Sequence, residues 1–435
     1  MKKIYFLTIM ILTFSCQDFV EKQPYDIITD ATVIQDEESA KGAILGMYSN
    51  FQDGNQYGNF IIAVPGVLSD ELIHSGSFPT VAEMDQNEVI PTNVNIRNIW
   101  ASHYTGIYIA NTVLERIGTI TIDPTLKSQL QGEALFGRAL FHFNLANLFG
   151  GVPLAKETNL DVLRSISRAT LAETFDFIIS DLNQAATLLA GVDHGSNADN
   201  KNRATDWAAK ALLARVHLYK GDLVTAGTYA NEVINSGKFS LEANYMDIFG
   251  GNASSESIFQ IFSSTNDQNG AAFWFRVDGR YEYAPSTEFQ NAIEAGDVRA
   301  AVIDTQSGKV AAAKYVDVGT GTDQSIVLRL AEMYLIRAEA NLGAIQADND
   351  VNTIRSRAKL GNKTNVTLDD ILQERFIELS FEGHRWHDLV RTNKVSTVMS
   401  VINPLTWGSN DVLMPIPQYE IDQNPSLKGF QNPGY

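Results

Sequence analysis

Cysteine occurs once in 435 residues, at Cys16. Disulfides within the chain are therefore excluded, and so are metal sites built from several thiolates. Stability has to come from a packed core, which a chain of this length supplies for one or two domains. After Cys16 no apolar run approaches the roughly 20 residues needed to cross a bilayer. Basic clusters are missing as well. Lys and Arg number 33 against 51 Asp and Glu, a formal charge of −18, which argues against tracking a phosphate backbone. No glycine-rich phosphate loop and no Gly-x-Ser-x-Gly turn occurs, so two common signatures of nucleotide and acyl chemistry are absent.

What is present begins at the N-terminus. Lys2 and Lys3 precede an apolar run from Ile4 to Leu12, and Thr13, Phe14 and Ser15 lead into Cys16. That order reads as a secretory signal over residues 1–15, with Cys16 as the acylated first residue of a lipoprotein. Loss of Lys2 and Lys3 leaves a mature charge of −20. Residues 16–35 are polar and contain proline, and read as the acylated cysteine and a flexible tether. A single domain is expected over 36–435.

The body reads as mainly α. Helical periodicity marks Glu38 to Phe51 and Asn98 to Ile117, with Ile99, Tyr104, Ile107, Ala110 and Val113 at three- and four-residue spacings. Residues 53–97 between them read as loops. Leu126 to Leu148 is apolar nearly all round, the mark of a buried helix, and Gly150 to Pro153 stop it. Leu171 to Leu189 follows, with Thr170 and Glu173 at capping-box spacing. Thr205 to Ser236 reads as a helix pair turning at Gly221, with Leu213, Ala214, Ala226 and Val233 at the offsets of a tetratricopeptide repeat. A similar pair spans Val327 to Lys359. Helix pairs within about 38–236 and 327–360 imply a superhelical scaffold. Residues 238–325 break the pattern as a variable insertion, with strand-like pieces at Ser257 to Phe262 and Lys314 to Val318.

The C-terminal part, 370–435, carries the most specific motifs. Arg375, Glu378, Leu379, Phe381, Glu382, Gly383, Arg385, Asp388 and Leu389 form one signature on a presumed single helix. A Pro-Ile-Pro to Asn-Pro-Gly-Tyr ending follows from Pro415 to Tyr435. Upstream, Asp70-Glu71, Trp100 to Asn111, Phe149 to Leu154, Arg215 to Gly221 and Arg329 to Arg337 fit the same pattern. The chain resembles the SusD/RagB family of the Bacteroidetes, over nearly the whole mature sequence. The resemblance implies four tetratricopeptide-like helix pairs and an irregular, loop-rich ligand-binding half with short strands. It implies a surface-exposed lipoprotein of the outer membrane, facing the cell exterior. Such a protein binds an oligosaccharide or polysaccharide and delivers it to a SusC-like TonB-dependent transporter, without catalysis and without a cofactor. Peptide is the alternative ligand, and a glycoside hydrolase is the remoter alternative.

Candidate ligand contacts are loop aromatics, because rings stack on the flat C–H faces of sugars while polar groups bond the hydroxyl rim. Trp274, Arg276, Tyr281 and Tyr283 in the insertion form the densest group, and Phe78 near Asp85 and Asn87 is the candidate from a facing loop. Tyr57 and Phe60 are weaker. Trp100, Trp207 and Trp386 sit on helical faces and read as core. His384 and His387, with Glu382 and Asp388 beside them, have metal-ligand spacing. The plainer reading is a structural ion-pair network of Arg375, Glu378, Glu382 and Arg385, and no metal is expected. Asp369-Asp370 reads as a helix cap rather than an acid pair.

Overall fold

The computed structural model describes residues 33–249 and 253–435. The signal segment, Cys16 and the tether to residue 32 lie outside the described residues. Ile34 is already buried, so the packed body begins just before the expected start at 36.

Eight helices form a continuous series of neighbours in four pairs: α1 (Glu37–Gln52) with α2 (Val94–Arg116), α3 (Pro124–Phe149) with α4 (Leu171–Leu188), α5 (Asp206–Lys220) with α6 (Leu223–Asn235), and α7 (Leu330–Ala340) with α8 (Ile345–Arg357). Local chemistry explains their ends. Asp36 and Ser39 cap α1 reciprocally, and Thr170 and Glu173 do the same for α4. Gly221 takes the left-handed conformation that lets the chain reverse between α5 and α6. Helix α3 has the expected central place: Phe136, Phe141, Phe143 and Phe149 are buried on different sides of it. Its two buried charges are matched, Arg138 by Asp181 of α4 at 2.7 Å and Glu133 by Arg203 at 2.6 Å.

Residues 53–97 are more ordered than their sequence suggests. They hold the helices Phe60–Val67 and Pro79–Asp85 and the strand β1 (Leu72–His74). Segments this short cannot display a period, and Phe60–Val67 is apolar on all sides because it is buried. In the insertion, β2 (Ser257–Ile261) forms as expected. Lys314 to Val318 does not. Its Lys314 is buried and bonded to Glu382 at 2.6 Å, which fixes a non-repeating path. The remaining strands are β3 (Tyr283–Pro285), β4 (Ile303–Gln306), β5 (Lys309–Ala312) and β6 (Ser325–Arg329). They pair antiparallel as β1–β3, β2–β6 and β4–β5. Strand β6 runs directly into α7, so the fourth pair starts at Leu330 rather than Val327.

The C-terminal signature is two helices, not one. Leu368–Glu378 and Arg385–Arg391 are separated by a break in which Phe381 and Gly383 have φ of 58° and 82°. A Cβ on Gly383 would lie 2.4 Å from the Ile61 carbonyl oxygen, so only glycine lets these backbones meet. The break turns Glu378 and Glu382 into a buried charge cluster. Arg329 bonds Glu256, Glu378 and Glu382 at 2.8, 2.6 and 2.8 Å. Arg357 pairs with Glu256 and Glu378, Arg299 with Glu374 and Glu378, and Lys314 with Glu382. The expected partners Arg375 and Arg385 point elsewhere, to Asp388 at 2.7 Å and Asp70 at 2.6 Å. The cluster clamps the insertion (Glu256, Arg299, Lys314) to the scaffold (Arg329, Arg357). The chain end is clamped separately. Asn432 bonds the Phe149 and Met414 carbonyls, and Arg168 bonds Asn432, so the last motif docks on the turn after α3.

Candidate functional site

The β1–β3 pairing joins two loops that are some two hundred residues apart in sequence. Leu72, Ile73 and His74 stand opposite Pro285, Ala284 and Tyr283. Phe78 follows β1, and the short helix Ala271–Phe275 precedes β3. The structure thus brings Phe78 and Trp274 together, with ring centroids 6.0 Å apart and planes at 53°. Phe273 stands 5.4 Å from Trp274 at a steep angle. Phe78 is 37 % and Phe273 45 % exposed, while Trp274 is half-buried. Arg280 lays its guanidinium over the Phe78 ring at 3.9 Å. Phe78, Phe273, Trp274 and Arg280 form an aromatic surface with a cationic edge.

The other predicted contacts sit differently. Tyr281 is half-buried, with φ of 55°, and its hydroxyl donates to the Val310 carbonyl at 2.7 Å. Lys309 lies 4.9 Å above its ring, so Tyr281 borders the β4–β5 hairpin. Arg276 is buried and forks onto Asp304 at 3.0 and 2.9 Å while also bonding the Ala312 carbonyl. It anchors that hairpin from within, the two terminal nitrogens of its guanidinium taken up by these bonds. Tyr283 is 2 % exposed, packs on Phe275 and accepts a hydrogen bond from Asn59. The alternation of a strand points Tyr283 inward, and that face could not be read without knowing its partner strand. Tyr57 is also buried, bonded to Asn144 at 3.2 Å. Sequence reasoning missed Arg280, whose only signal was an arginine within an aromatic-rich loop.

His384 is buried and His387 half-buried, and desolvation lowers both imidazoles, His387 to about 4. Each is therefore neutral, within the scaffold. Among the described residues no group of three or more His, Cys, Asp or Glu side chains is placed to hold a metal. Asp370 completes the capping box of its helix with Thr367. Trp100 and Trp386 are core, at 3 % and 1 % exposure.

A cleft of about 540 Å³ opens elsewhere, between α2, residues 153–166 and residues 420–427. Tyr104 and Tyr108 form part of its wall, with Leu160, Leu163, Ile166 and Leu427 around them. It shares no residue with the aromatic surface. No helix among the described residues is long and apolar enough to cross a membrane.

The chain is similar to known proteins over most of its length. A family model described as starch-binding and associating with the outer membrane matches residues 18–218, and the SusD family model matches residues 304–435. A SusD-like protein of Formosa agariphila is 27 % identical, the match covering 100 % of this chain and 99 % of that one. Another, from Bacteroides ovatus, is 26 % identical over 89 % of this chain and 82 % of its own length. Among solved structures, a SusD superfamily protein of Bacteroides thetaiotaomicron superposes with a TM-score of 0.80 at 26 % identity, covering 91 % of this chain and 99 % of that one. A laminarin-binding SusD-like protein superposes with a TM-score of 0.82 at 24 % identity, covering 92 % and 100 %. The two family models together take in seven of the eight scaffold helices and the C-terminal signature, and the chain belongs to the SusD/RagB family.

Proposed function

We propose that this protein binds an oligosaccharide or polysaccharide on the surface formed by Phe78, Phe273 and Trp274, with Arg280 and Tyr281 at its edges. Held to the outer membrane through Cys16 and facing the cell exterior, it passes the glycan to a SusC-like TonB-dependent transporter. The observation that carries the reading is the exposed aromatic group assembled from two distant loops. Solvent-facing rings are expensive to leave in water, and those set beside hydrogen-bonding side chains are suited to sugar faces and rims. The starch-binding description of the matched family model supports the ligand class, and the fold is one that a laminarin-binding protein uses. The cleft between α2 and residues 420–427 also has tyrosines and polar side chains in its wall, but it draws them from the scaffold and the chain end rather than from the two loops. A binding role needs no reacting group. Glycoside hydrolysis needs two carboxyl groups facing each other across the substrate, whereas the Glu282 carboxylate beneath the aromatic surface is buried and taken up by three donors.

The test is calorimetry of the mature chain against maltooligosaccharides, laminarihexaose and a set of peptides. At least one glycan is expected to bind, and Trp274→Ala to weaken that binding tenfold or more, about 1.4 kcal/mol. Unchanged affinity in that variant would remove the site, and shortened sugars appearing in the cell would overturn the non-catalytic reading.

A further inference from the structure

Glu282 bonds Phe78, Trp274 and Arg280 of the aromatic surface while being itself completely buried. Its backbone N–H donates to the Trp274 carbonyl at 2.8 Å, and its own carbonyl accepts from Ser75 at 2.9 Å. Its carboxylate accepts from the Phe78 backbone N–H at 2.9 Å, from Arg280 Nε at 3.3 Å, and bonds His74 Nε2 at 2.9 Å. Its side chain therefore reaches the loop that carries Phe78 and the guanidinium stacked on Phe78, while its backbone holds Trp274. Gly76 makes the space. A Cβ there would fall 2.1 Å from one Glu282 carboxylate oxygen and 2.3 Å from its carbon, so any larger residue would evict the carboxylate.

We infer that Glu282, seated against Gly76, is the positioning residue that sets Phe78, Trp274 and Arg280 in one surface. It does not meet the ligand. It acts by fixing the relative place of two loops that otherwise share the three-residue β1–β3 pairing and a few flanking bonds made by Ser75, Ser77 and Ser286. Three residue pairs of ladder are too few to hold two loops rigidly, and a buried carboxylate with three donors supplies the missing constraint, since hydrogen bonds to a charged acceptor are the strong ones. The inference takes its ligand from the glycan-binding reading, but its geometry stands apart from it.

The experiment uses the full mature chain labelled with 5-fluorotryptophan, whose Trp274 signal is assigned among the five tryptophans by Trp274→Phe. Glu282→Ala and Gly76→Ala should each shift or broaden the Trp274 fluorine resonance. Val351→Ala, which opens a cavity in a separate part of the core, should lower stability and leave that resonance in place. In calorimetry with the oligosaccharide that binds best, Glu282→Ala should weaken binding tenfold or more. Adding it to Trp274→Ala should weaken binding little further, because the two act through one surface. Glu282→Gln, which keeps the shape and one acceptor oxygen, should fall between. An unmoved Trp274 resonance in both Gly76→Ala and Glu282→Gln would overturn the positioning role. A moved resonance with wild-type affinity in Trp274→Ala would instead sink the glycan-binding surface and leave the positioning role standing.

Discussion

Replacing Arg329 by methionine keeps most of the side-chain volume and removes the centre of the buried charge cluster. The guanidinium is 1 % exposed and bonds Glu256, Glu378 and Glu382, and also the Glu378 carbonyl. Without it Glu382 retains only Lys314, and Glu378 keeps Arg299 and Arg357. Breaking a buried ion pair by removing one partner costs about 3–5 kcal/mol, because a charge is left uncompensated. The loss should also carry a pH signature. Burial pushes Glu378 up, but Arg357, Arg329 and Arg299 outweigh it and hold its carboxyl well below the usual range. Glu382 is lowered in the same way, burial being outweighed by Arg329 and Lys314. A carboxyl lowered in the folded state contributes stability that is present above its unfolded pKa and lost as pH falls. In Arg329→Met that contribution shrinks, and the desolvated carboxylates favour a proton. The difference from wild type is therefore full above the unfolded value of 4.5 and narrows as pH falls below it. Urea unfolding at about pH 7.5 and about pH 3.5 measures it. A loss under about 1 kcal/mol, or one equal at both pH values, would refute the assignment of these carboxylates to Arg329.

Two further substitutions probe the junction between scaffold and loops. Burial raises Glu71 to about 8, above its unfolded value of 4.5, and its Oε2 has no hydrogen-bond partner. The folded state thus holds a proton that the unfolded chain releases, and this group makes stability fall as pH rises from the unfolded value to the folded one. Glu71→Gln should gain stability over wild type across that window, level off above it, and leave acid stability unchanged; parallel pH profiles of the two proteins in urea would count against it. Gly383→Ala combines a positive φ with the contact at the Ile61 carbonyl, and should cost about 3 kcal/mol or more; a neutral effect on the urea midpoint would show that the break between the two C-terminal helices is not constrained as described.

Much of the scaffold was legible because it repeats a local rule. The helix α5 turns at Gly221, α4 starts on Thr170 and Glu173, and α3 is buried all round, each visible within a window of a few turns. The presumed single helix over Arg375 to Leu389 failed for the opposite reason. Its break depends on Ile61, a residue more than three hundred positions away, pressing on Gly383. The loops failed in the same way. Tyr283 and Trp274 share one aromatic-rich segment, and nothing local tells the core-facing ring from the half-exposed one; the pairing of β3 with β1 decides it.

That dependence explains why the motif residues and the candidate ligand contacts occupy different places. Glu378, Glu382 and Arg385 are buried or nearly so, and their partners Arg329, Lys314 and Asp70 come from the scaffold, the insertion and the first loop region. Their work is to fix where the two loop regions stand. A buried ion pair demands its partner at one distance and one angle, so moving any of them leaves a charge unmatched inside the protein. Phe78, Phe273 and Trp274 carry no such obligation, because a half-exposed ring tolerates many neighbours. The sequence signature therefore lies on the buried frame that fixes the two loop regions, while the aromatic surface is held by fewer such demands.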